Sequence, residues 1–583
     1  MHRHCNPIAI LASLATVVLV TAFSTTPAFA APEGTGPASV HGSAQHATST
    51  VMAQYARNEG TIGASNAARI QAAGEKSLPT LYPLGSRYNK VKASIAKSTA
   101  KGAGVSHGSL ALKASFPGMQ SSATICPPIG CNPPDMALAT SPSWVFQGVN
   151  ASFAVYNRQG ALQPGWPKTF QDFFGTPSPG ACSNGNIAFM SDPRAIWDVN
   201  DHRFFAAALE VEGAIGVNTC PFKSIYWTAV SATSNPNGVW FVYAFEMSLG
   251  TTNVADFTMI GLDSHDFYFS ANMFNQAGTA YEYAEIFGAR KALMETNSKL
   301  NAPGFFRLQV IGPQGAYVAD TVQPVQTEAA GAGPSAGIFV NTLNGFDPVS
   351  GHACTSSADS CKGLAVWAFR PSTFGFPTLS FGFASGTQPY YFAPPADQTT
   401  CKQCIDTSDL RISATPVYRN GNVYMGWETS HNNGTQIVPA IEWAQVRVGL
   451  SSGVITNANA IASNYFEIRG GDDAVMYPAL MLNDFGALYM VFDHSSSTTN
   501  PEVRLTVRKS GGQFVPNGIL IKAGEGPYRP GVCGSATMPV CRWGDYSATS
   551  FNGFATNNVW FAGQYANAVS SFSRNWGTWI GEV

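Results

Sequence analysis

Charge is scarce in this sequence. Only 12% of its 583 residues are Asp, Glu, Lys or Arg, about half the share usual in soluble domains. The formal charge is −2, and residues 1–30 hold one Arg and no acid, so the remainder carries −3. A nucleic-acid binder needs a concentrated basic face, and this balance argues against one. Long apolar runs are lacking as well. The one from Ile8 to about Val20 is too short to span a bilayer comfortably. It follows the polar start His2, Arg3, His4 and precedes Ala28-Phe29-Ala30, small residues at cleavage positions. Residues 1–30 therefore read as a secretory signal. The expected product is secreted, extracellular or periplasmic, with no membrane insertion once the signal is gone. Cys5 lies ahead of the apolar run and is not placed to carry a lipid.

Several catalytic signatures are missing too. There is no Gly-x-Ser-x-Gly nucleophile elbow, no His-Glu-x-x-His metal helix and no Gly-Lys-Ser/Thr phosphate loop,. Trp is absent from residues 31–115, and all 12 Trp lie between Trp144 and Trp579. That first stretch is rich in Ala, Ser, Gly and Thr. It reads as a low-complexity, partly disordered arm or propeptide.

Gly and Pro are plentiful, at 57 and 37 residues, which suits short strands joined by turns. Ten cysteines follow Cys5, an even number suited to an oxidising destination. Their spacing suggests local disulfides: Cys126 with Cys131, Cys182 with Cys220, Cys354 with Cys361, Cys401 with Cys404, and Cys533 with Cys541. Cys401-Lys402-Gln403-Cys404 has no second pair at zinc-site spacing and no βαβ surroundings, so a loop disulfide is the better reading.

From about residue 116 to 583 one unit repeats. An apolar strand ends on a polar amide or acid, anchored at Val145, Phe204, Phe267, Ile338, Val423, Leu488 and Val559. A segment opening on an acid or Pro precedes most copies, and another β-rich run follows. Seven such units point to an all-β, seven-bladed β-propeller. The copy at Ile338 is faint, so six or eight blades stay open. A β-sandwich also strings short strands together, but seven copies of one ordered unit favour the propeller.

Strands within a blade run antiparallel, so the start of each inner strand and the end of each second strand share a face. That face gathers Asp135, Asp192, Asp256 and Asp545 near Asn150, Asn272, Glu428, Asp493 and Gln564. Repeated Asp and Asn at strand ends often do no more than satisfy turn backbone. Residues peculiar to one blade are more informative: Arg194, Trp197, His265, His494 and the run Arg542-Trp543-Gly544-Asp545-Tyr546-Ser547. The candidate catalytic residues are Asp192, Arg194, Asp545, Arg542, Tyr546 and His494. Asp135, Asp256, Trp197, Glu428, Asp493 and Trp543 are candidates for substrate binding. Carboxylates beside aromatic rings suit a saccharide, and two could act as acid and base or nucleophile in glycoside cleavage. Tyr546 or His494 with Arg194 or Arg542 would instead suit proton abstraction beside a uronate carboxylate. Oxygen-rich loops permit Ca²⁺ without demanding it, while Asp472-Asp473 reads as a solvated turn.

Ser191-Asp192-Pro193, Trp197-Asp198, Arg203-Phe204-Phe205 and Arg542-Trp543-Gly544-Asp545-Tyr546-Ser547 resemble the broad group of secreted bacterial sialidase-like propeller proteins. The likeness spans roughly residues 125–583. It implies fold and export more than activity, since many members are functionally undefined. Sialidases repeat a Ser-x-Asp-x-Gly-x-Thr-Trp turn, which has no clear copy here, and hold a carboxylate with three arginines. Arg194, Arg411 and Arg542 lie near expected inner-strand starts. Two readings follow: an exported polysaccharide-active enzyme, hydrolase or lyase, or a non-catalytic propeller binding a glycan or protein at the cell surface.

Overall fold

The computed structural model describes residues 37–41, 43–45, 110–122, 124–125, 133–176, 189–212, 223–276, 280–327, 333–371, 377–529, 539–551, 558–568 and 575–583. The expected signal at 1–30, the pairs Cys126–Cys131 and Cys182–Cys220, and Cys533 lie outside the described residues.

The chain is nearly all β. Its helices among the described residues are the short Phe170–Phe174 and Lys291–Met294, and none is long and apolar enough to cross a membrane. The strands form four-stranded antiparallel meanders. In the first, Ala137–Thr140 pairs with Trp144–Val149, then Ser152–Asn157, then Lys168–Thr169. The second runs from Phe189–Asp198 through Arg203–Glu212 and Lys223–Ser231 to Trp240–Glu246. Val254–Leu262, Asp266–Phe274, Tyr281–Arg290 and Asn301–Phe306 make the third. Gln323–Pro324, Gly337–Thr342, Leu364–Arg370 and Thr378–Ala384 make the fourth. The fifth comprises Val417–Arg419, Asn422–Asn432, Ile437–Ser451 and Val454–Phe466. The sixth comprises Ala474–Leu482, Leu488–Ser496, Thr499–Arg508 and Ile519–Lys522.

The last meander is built from both ends of the domain. Ala548–Phe551, Val559–Ala566 and Trp576–Glu582 come from the C-terminus, and Ala114–Gln120 supplies the outermost strand. That strand begins at Ala114, two residues ahead of the expected boundary at 116. The first strands of successive meanders pack side by side, except that Gln326–Thr327 makes the step to Val417–Arg419 by pairing with it in parallel, and Ala548–Phe551 packs against Ala137–Thr140. The ring therefore closes on itself, the architecture of a β-propeller.

Every anchor read from the sequence lies on the second strand of a meander, Ile338 included, and each is at most 2% exposed. These strands are buried on both faces, which is why they read as near-continuous apolar runs. Aromatic rings fill the gaps between sheets: Phe146 of the first meander meets Phe204 and Trp240 of the second at 6.1 Å and 5.3 Å between centroids,. The low-complexity arm also contributes strands. Pro37–His41 adds to Asn301–Phe306, and Ser43–Gln45 adds to Trp240–Glu246.

Two expected disulfides are present, Cys354–Cys361 with a Cα separation of 4.8 Å and Cys401–Cys404 with 5.9 Å. Cys541 is also disulfide-bonded. These bridges are consistent with an oxidising compartment.

Candidate functional site

The site grows out of a recurring kink. The chain enters its inner strands through residues with left-handed backbone: Asp135 (φ 41°), Asp192 (φ 55°), Phe257 (φ 51°), Thr321 (φ 47°), Ser408 (φ 59°) and Tyr477 (φ 52°). None of these is Gly, so each conformation costs about 1 kcal/mol or more and must be held by its surroundings. The neighbouring meander does the holding. The backbone N–H of Asp192 donates to Asn150 Oδ1 at 2.9 Å, that of Thr321 to Asn272 Oδ1 at 2.6 Å, and that of Tyr477 to Glu428 Oε1 at 2.6 Å.

The polar residue five places after the anchor is thus a latch to the next meander at Asn150, Asn272 and Glu428. The same position is used differently at Asp493, which accepts from Trp543 Nε1 at 2.8 Å, while Gln564 Nε2 donates to the Trp543 carbonyl at 2.7 Å. Glu428, Asp493 and Trp543, expected to bind substrate, are at most 1% exposed and occupy the wall between sheets. Trp197, at 2% exposure, packs on Phe204 with centroids 4.6 Å apart. It belongs to the core.

The acids at the kinks do gather. Asp135 Oδ1 accepts from the Asp545 backbone N–H at 2.8 Å, and Asp135 Oδ2 accepts from Asn150 Nδ2 at 2.6 Å. Arg542 pairs with Asp545 and reaches Asp406 Oδ2 at 3.3 Å. Asp192 feels the charges of Asp256, Asp545, Arg194 and Arg542, and Asp256 those of Asp545, Arg411 and Arg542. Asp135, Asp192, Asp256, Asp545 and Arg542 therefore form one electrostatic unit.

Burial is the main cause of its unusual acidity, with the neighbouring carboxylates second. Together they push Asp192 up to about 7 and Asp256 up to about 6. Asp135 is raised well above the usual carboxylate range by burial and Asp545, although Arg542 pulls the other way. Burial likewise raises Asp406, against the field of Arg542. The unit thus holds carboxyl groups that are partly protonated near neutral pH beside an Asp–Arg ion pair. The side chains of Arg542, Asp406 and Asp545 keep 15%, 18% and 12% of their surface exposed and form its outer edge.

Beneath these acids lies a layer of cations and rings. The Arg194 guanidinium carbon lies 3.3 Å from the centre of the Tyr546 ring and 5.7 Å from that of Phe257. Arg411 covers Phe257 at 4.5 Å and is held by Asp409, with Nε to Oδ1 at 2.6 Å. Tyr546 is 1% exposed, its hydroxyl reaches the Pro193 carbonyl at 3.4 Å, and burial raises its pKa well above the ordinary value.

His494 does not join this group. Its Nδ1 meets Glu502 Oε1 at 2.8 Å and its Nε2 meets Asp473 Oδ1 at 2.9 Å. It neighbours Asp493 in sequence, but successive strand residues point to opposite faces. Asp473 is thereby a partner of His494, and Asp472 Oδ2 accepts from the Ser497 N–H at 2.9 Å.

The repeat pattern did not single out Asp406 and Asp409. The spacing Asp406-Thr-Ser-Asp409-Leu-Arg411, an acid-rich entry to the fifth inner strand, was the available signal. It was masked by the preceding insert with its Cys401–Cys404 hairpin. Among the described residues, Asp198, Asp201 and Glu295 place carboxylate oxygens within 4.8 Å of one another, as a cation site would. The Lys291 ammonium already pairs with Asp198 and, at 2.7 Å, with Asp201.

No protein-family model matches the chain, and no curated protein matches it. Among solved structures it is similar to Trypanosoma rangeli sialidase in complex with sialic acid. That likeness has 10% identity and a TM-score of 0.30 and covers 70% of this chain and 57% of the other, so the chain spans less than two thirds of it. It is also similar to the parainfluenza virus 5 hemagglutinin-neuraminidase ectodomain, at 11% identity and a TM-score of 0.36, covering 70% and 83% of the two chains.

Proposed function

We propose that the meanders are the seven blades of one exported propeller that hydrolyses glycans at the axial carboxylate unit. The observation that carries this reading is the coexistence of Asp192 at about 7 and Asp256 at about 6 beside the Asp545–Arg542 ion pair. Glycoside cleavage needs one carboxyl that holds a proton at working pH and another that is ionised. Asp192 supplies the proton to the leaving glycosidic oxygen as the bond to the anomeric carbon breaks. A second carboxylate, Asp256 or Asp545, either takes a proton from the water that adds to the anomeric carbon or adds there itself, forming a glycosyl ester that water then hydrolyses. Arg542, at the outer edge, orients an anionic or hydroxyl-rich ring.

Elimination from a uronate is less well supported. Tyr546 is buried under Arg194 with its hydroxyl turned to a carbonyl, and His494 is engaged by two carboxylates, so neither is placed as the base. In a second reading, glycan or protein binding without catalysis, a protein is favoured over a glycan by one observation. Trp197 and Trp543 lie in the walls and offer no stacking platform at the cluster.

Purified protein assayed against a panel of polysaccharides separates these readings. New reducing ends that vanish in Asp192→Asn support hydrolysis. Absorbance from an unsaturated uronate would replace it with elimination, and binding without product across the panel would establish the second reading.

A further inference from the structure

The three axial arginines differ in one respect. Arg411 is ion-paired with Asp409 and Arg542 with Asp545. Arg194 is 4% exposed, and its hydrogen bonds go to two backbone carbonyls, Thr258 O from Nε at 3.0 Å and Ser413 O from Nη1 at 3.4 Å. Its Nη2 has no protein partner among the described residues. Asp192 feels its field but makes no ion pair with it. A buried guanidinium served only by neutral carbonyls and a ring face is costly, because these offset only part of the lost hydration of its charge.

Arg194 lines a cavity of about 30 Å³ between the inner strands, together with Ser547, Ala137, Ala195, Thr415 and Met481. Ser547 is 2% exposed, and its Oγ also has no protein partner among the described residues. One unpaired cationic donor and one unpaired hydroxyl thus belong to residues that line the same space, which is large enough for a single small ion or one or two waters,. We propose that this axial cavity is a halide site, in which a chloride-sized anion accepts hydrogen bonds from Arg194 Nη2 and Ser547 Oγ. The site is independent of the proposed glycan chemistry and stands if that chemistry fails.

The cavity sets the size limit: about 30 Å³ leaves no room for a polyatomic acid, and besides Arg194 and Ser547 its polar lining is Gln326, Thr415 and Thr549. The test uses the full chain and bromide as the probe. Crystals soaked in sodium bromide should show an anomalous peak within hydrogen-bond reach of Arg194 Nη2 and Ser547 Oγ. In solution, the melting temperature should rise saturably with sodium bromide but not with sodium gluconate at equal ionic strength, because gluconate is too large to enter. Ser547→Ala should raise the half-saturating bromide concentration about tenfold, the loss expected for one hydrogen bond to a charged partner. Arg194→Met should abolish the saturable response, and if that variant does not fold, Ser547→Ala decides alone. Anomalous peaks confined to other surfaces, equal responses to both salts, or an unchanged half-saturation in Ser547→Ala would each overturn the assignment.

Discussion

The backbone N–H of Asp545 donates to Asp135 Oδ1 at 2.8 Å across a sequence separation of 410 residues. This bond joins the last meander to the first at the mouth of the ring. The other oxygen of Asp135 takes the Asn150 amide, and Asn150 in turn holds the Asp192 N–H of the second meander. Three meanders are therefore tied through one carboxyl group.

Removing that carboxyl should loosen the closure. Asp135→Ala leaves the Asp545 N–H unpaired in a buried setting, at a cost of about 1–3 kcal/mol, while the Asn150 amide keeps its bond to the Pro133 carbonyl at 2.7 Å. Asp135→Asn should also destabilise, because its new amide confronts that of Asn150. Urea denaturation measures both losses. Combining Asp135→Ala with Asn150→Ala should cost less than the sum of the single changes, by about 0.5 kcal/mol or more, because the two residues share one network. Additive losses would show that the chain of bonds is not a unit.

How much of this was legible in the sequence depends on what each residue does. Val145, Phe267 and Leu488 announced their strands because a segment buried on both faces is apolar throughout. Asn150, Asn272 and Glu428 were visible as a repeat, and each accepts a backbone N–H of the next meander. What they hold is a left-handed N–H in the next meander, a partner that no local pattern encodes. His494 shows the opposite trap, since it stands beside Asp493 in sequence but on the other face of its strand. The acids at the strand starts were recognised because they recur at the segment that precedes the second strand of most repeats. Asp406 and Asp409 escaped because the insert before the fifth inner strand broke the spacing.

The latches predict a graded stability series. Asn272→Ala removes the acceptor of the Thr321 N–H and the donor to Thr321 Oγ1, a bond of 2.9 Å. A loss of about 1–3 kcal/mol is expected for the stranded N–H. Asn272→Asp keeps the acceptor and should retain more stability than Ala at acid pH, where the carboxyl is neutral. Thermal unfolding of both variants across pH checks the order.

Asp192 and Asp256 make the fold itself pH-dependent. Both carboxyls are raised from the ordinary value of 3.8, to about 7 and about 6. Between about 4 and 7 the folded state therefore binds more protons than the unfolded chain, so stability falls as pH rises through that window. Their stabilising contribution is complete below the unfolded value and gone above the folded one. Replacing Asp192 with Asn removes its titration, so the melting temperature of that variant should decline less steeply between pH 4 and 7. An unchanged slope would mean that Asp192 titrates in the ordinary range.

The same two groups shape the expected rate profile. If Asp192 donates the proton in glycoside cleavage, the alkaline limb of activity should fall near pH 7. Asp192→Asn should lower the rate by about 10²–10⁴-fold, the usual worth of a general acid. A substrate whose leaving group departs without a proton, such as a nitrophenyl glycoside, should be affected far less by the same change. An equal loss on both substrates would assign Asp192 to structure rather than to acid catalysis.

His494 provides a separate titration. Burial favours its neutral form, but the bonds to Asp473 and Glu502 outweigh burial and lift its pKa above the ordinary value of 6.5, with Arg504 opposing. A histidine raised in the folded state stabilises fully below its unfolded value, and that contribution is lost as pH rises through the folded value. The sixth meander, which carries both His494 and Glu502, should therefore lose protection against hydrogen exchange as pH rises above about 6.5, the ordinary histidine value. His494→Gln keeps one donor without the charge and should flatten that dependence. The residue sits away from the acids around Arg542, so its titration should be visible in the exchange of this sheet while the Asp192 titration is not. If instead both titrations move together in every variant, the two clusters are coupled through the inner strand Ala474–Leu482, the element that lies between His494 and the axis.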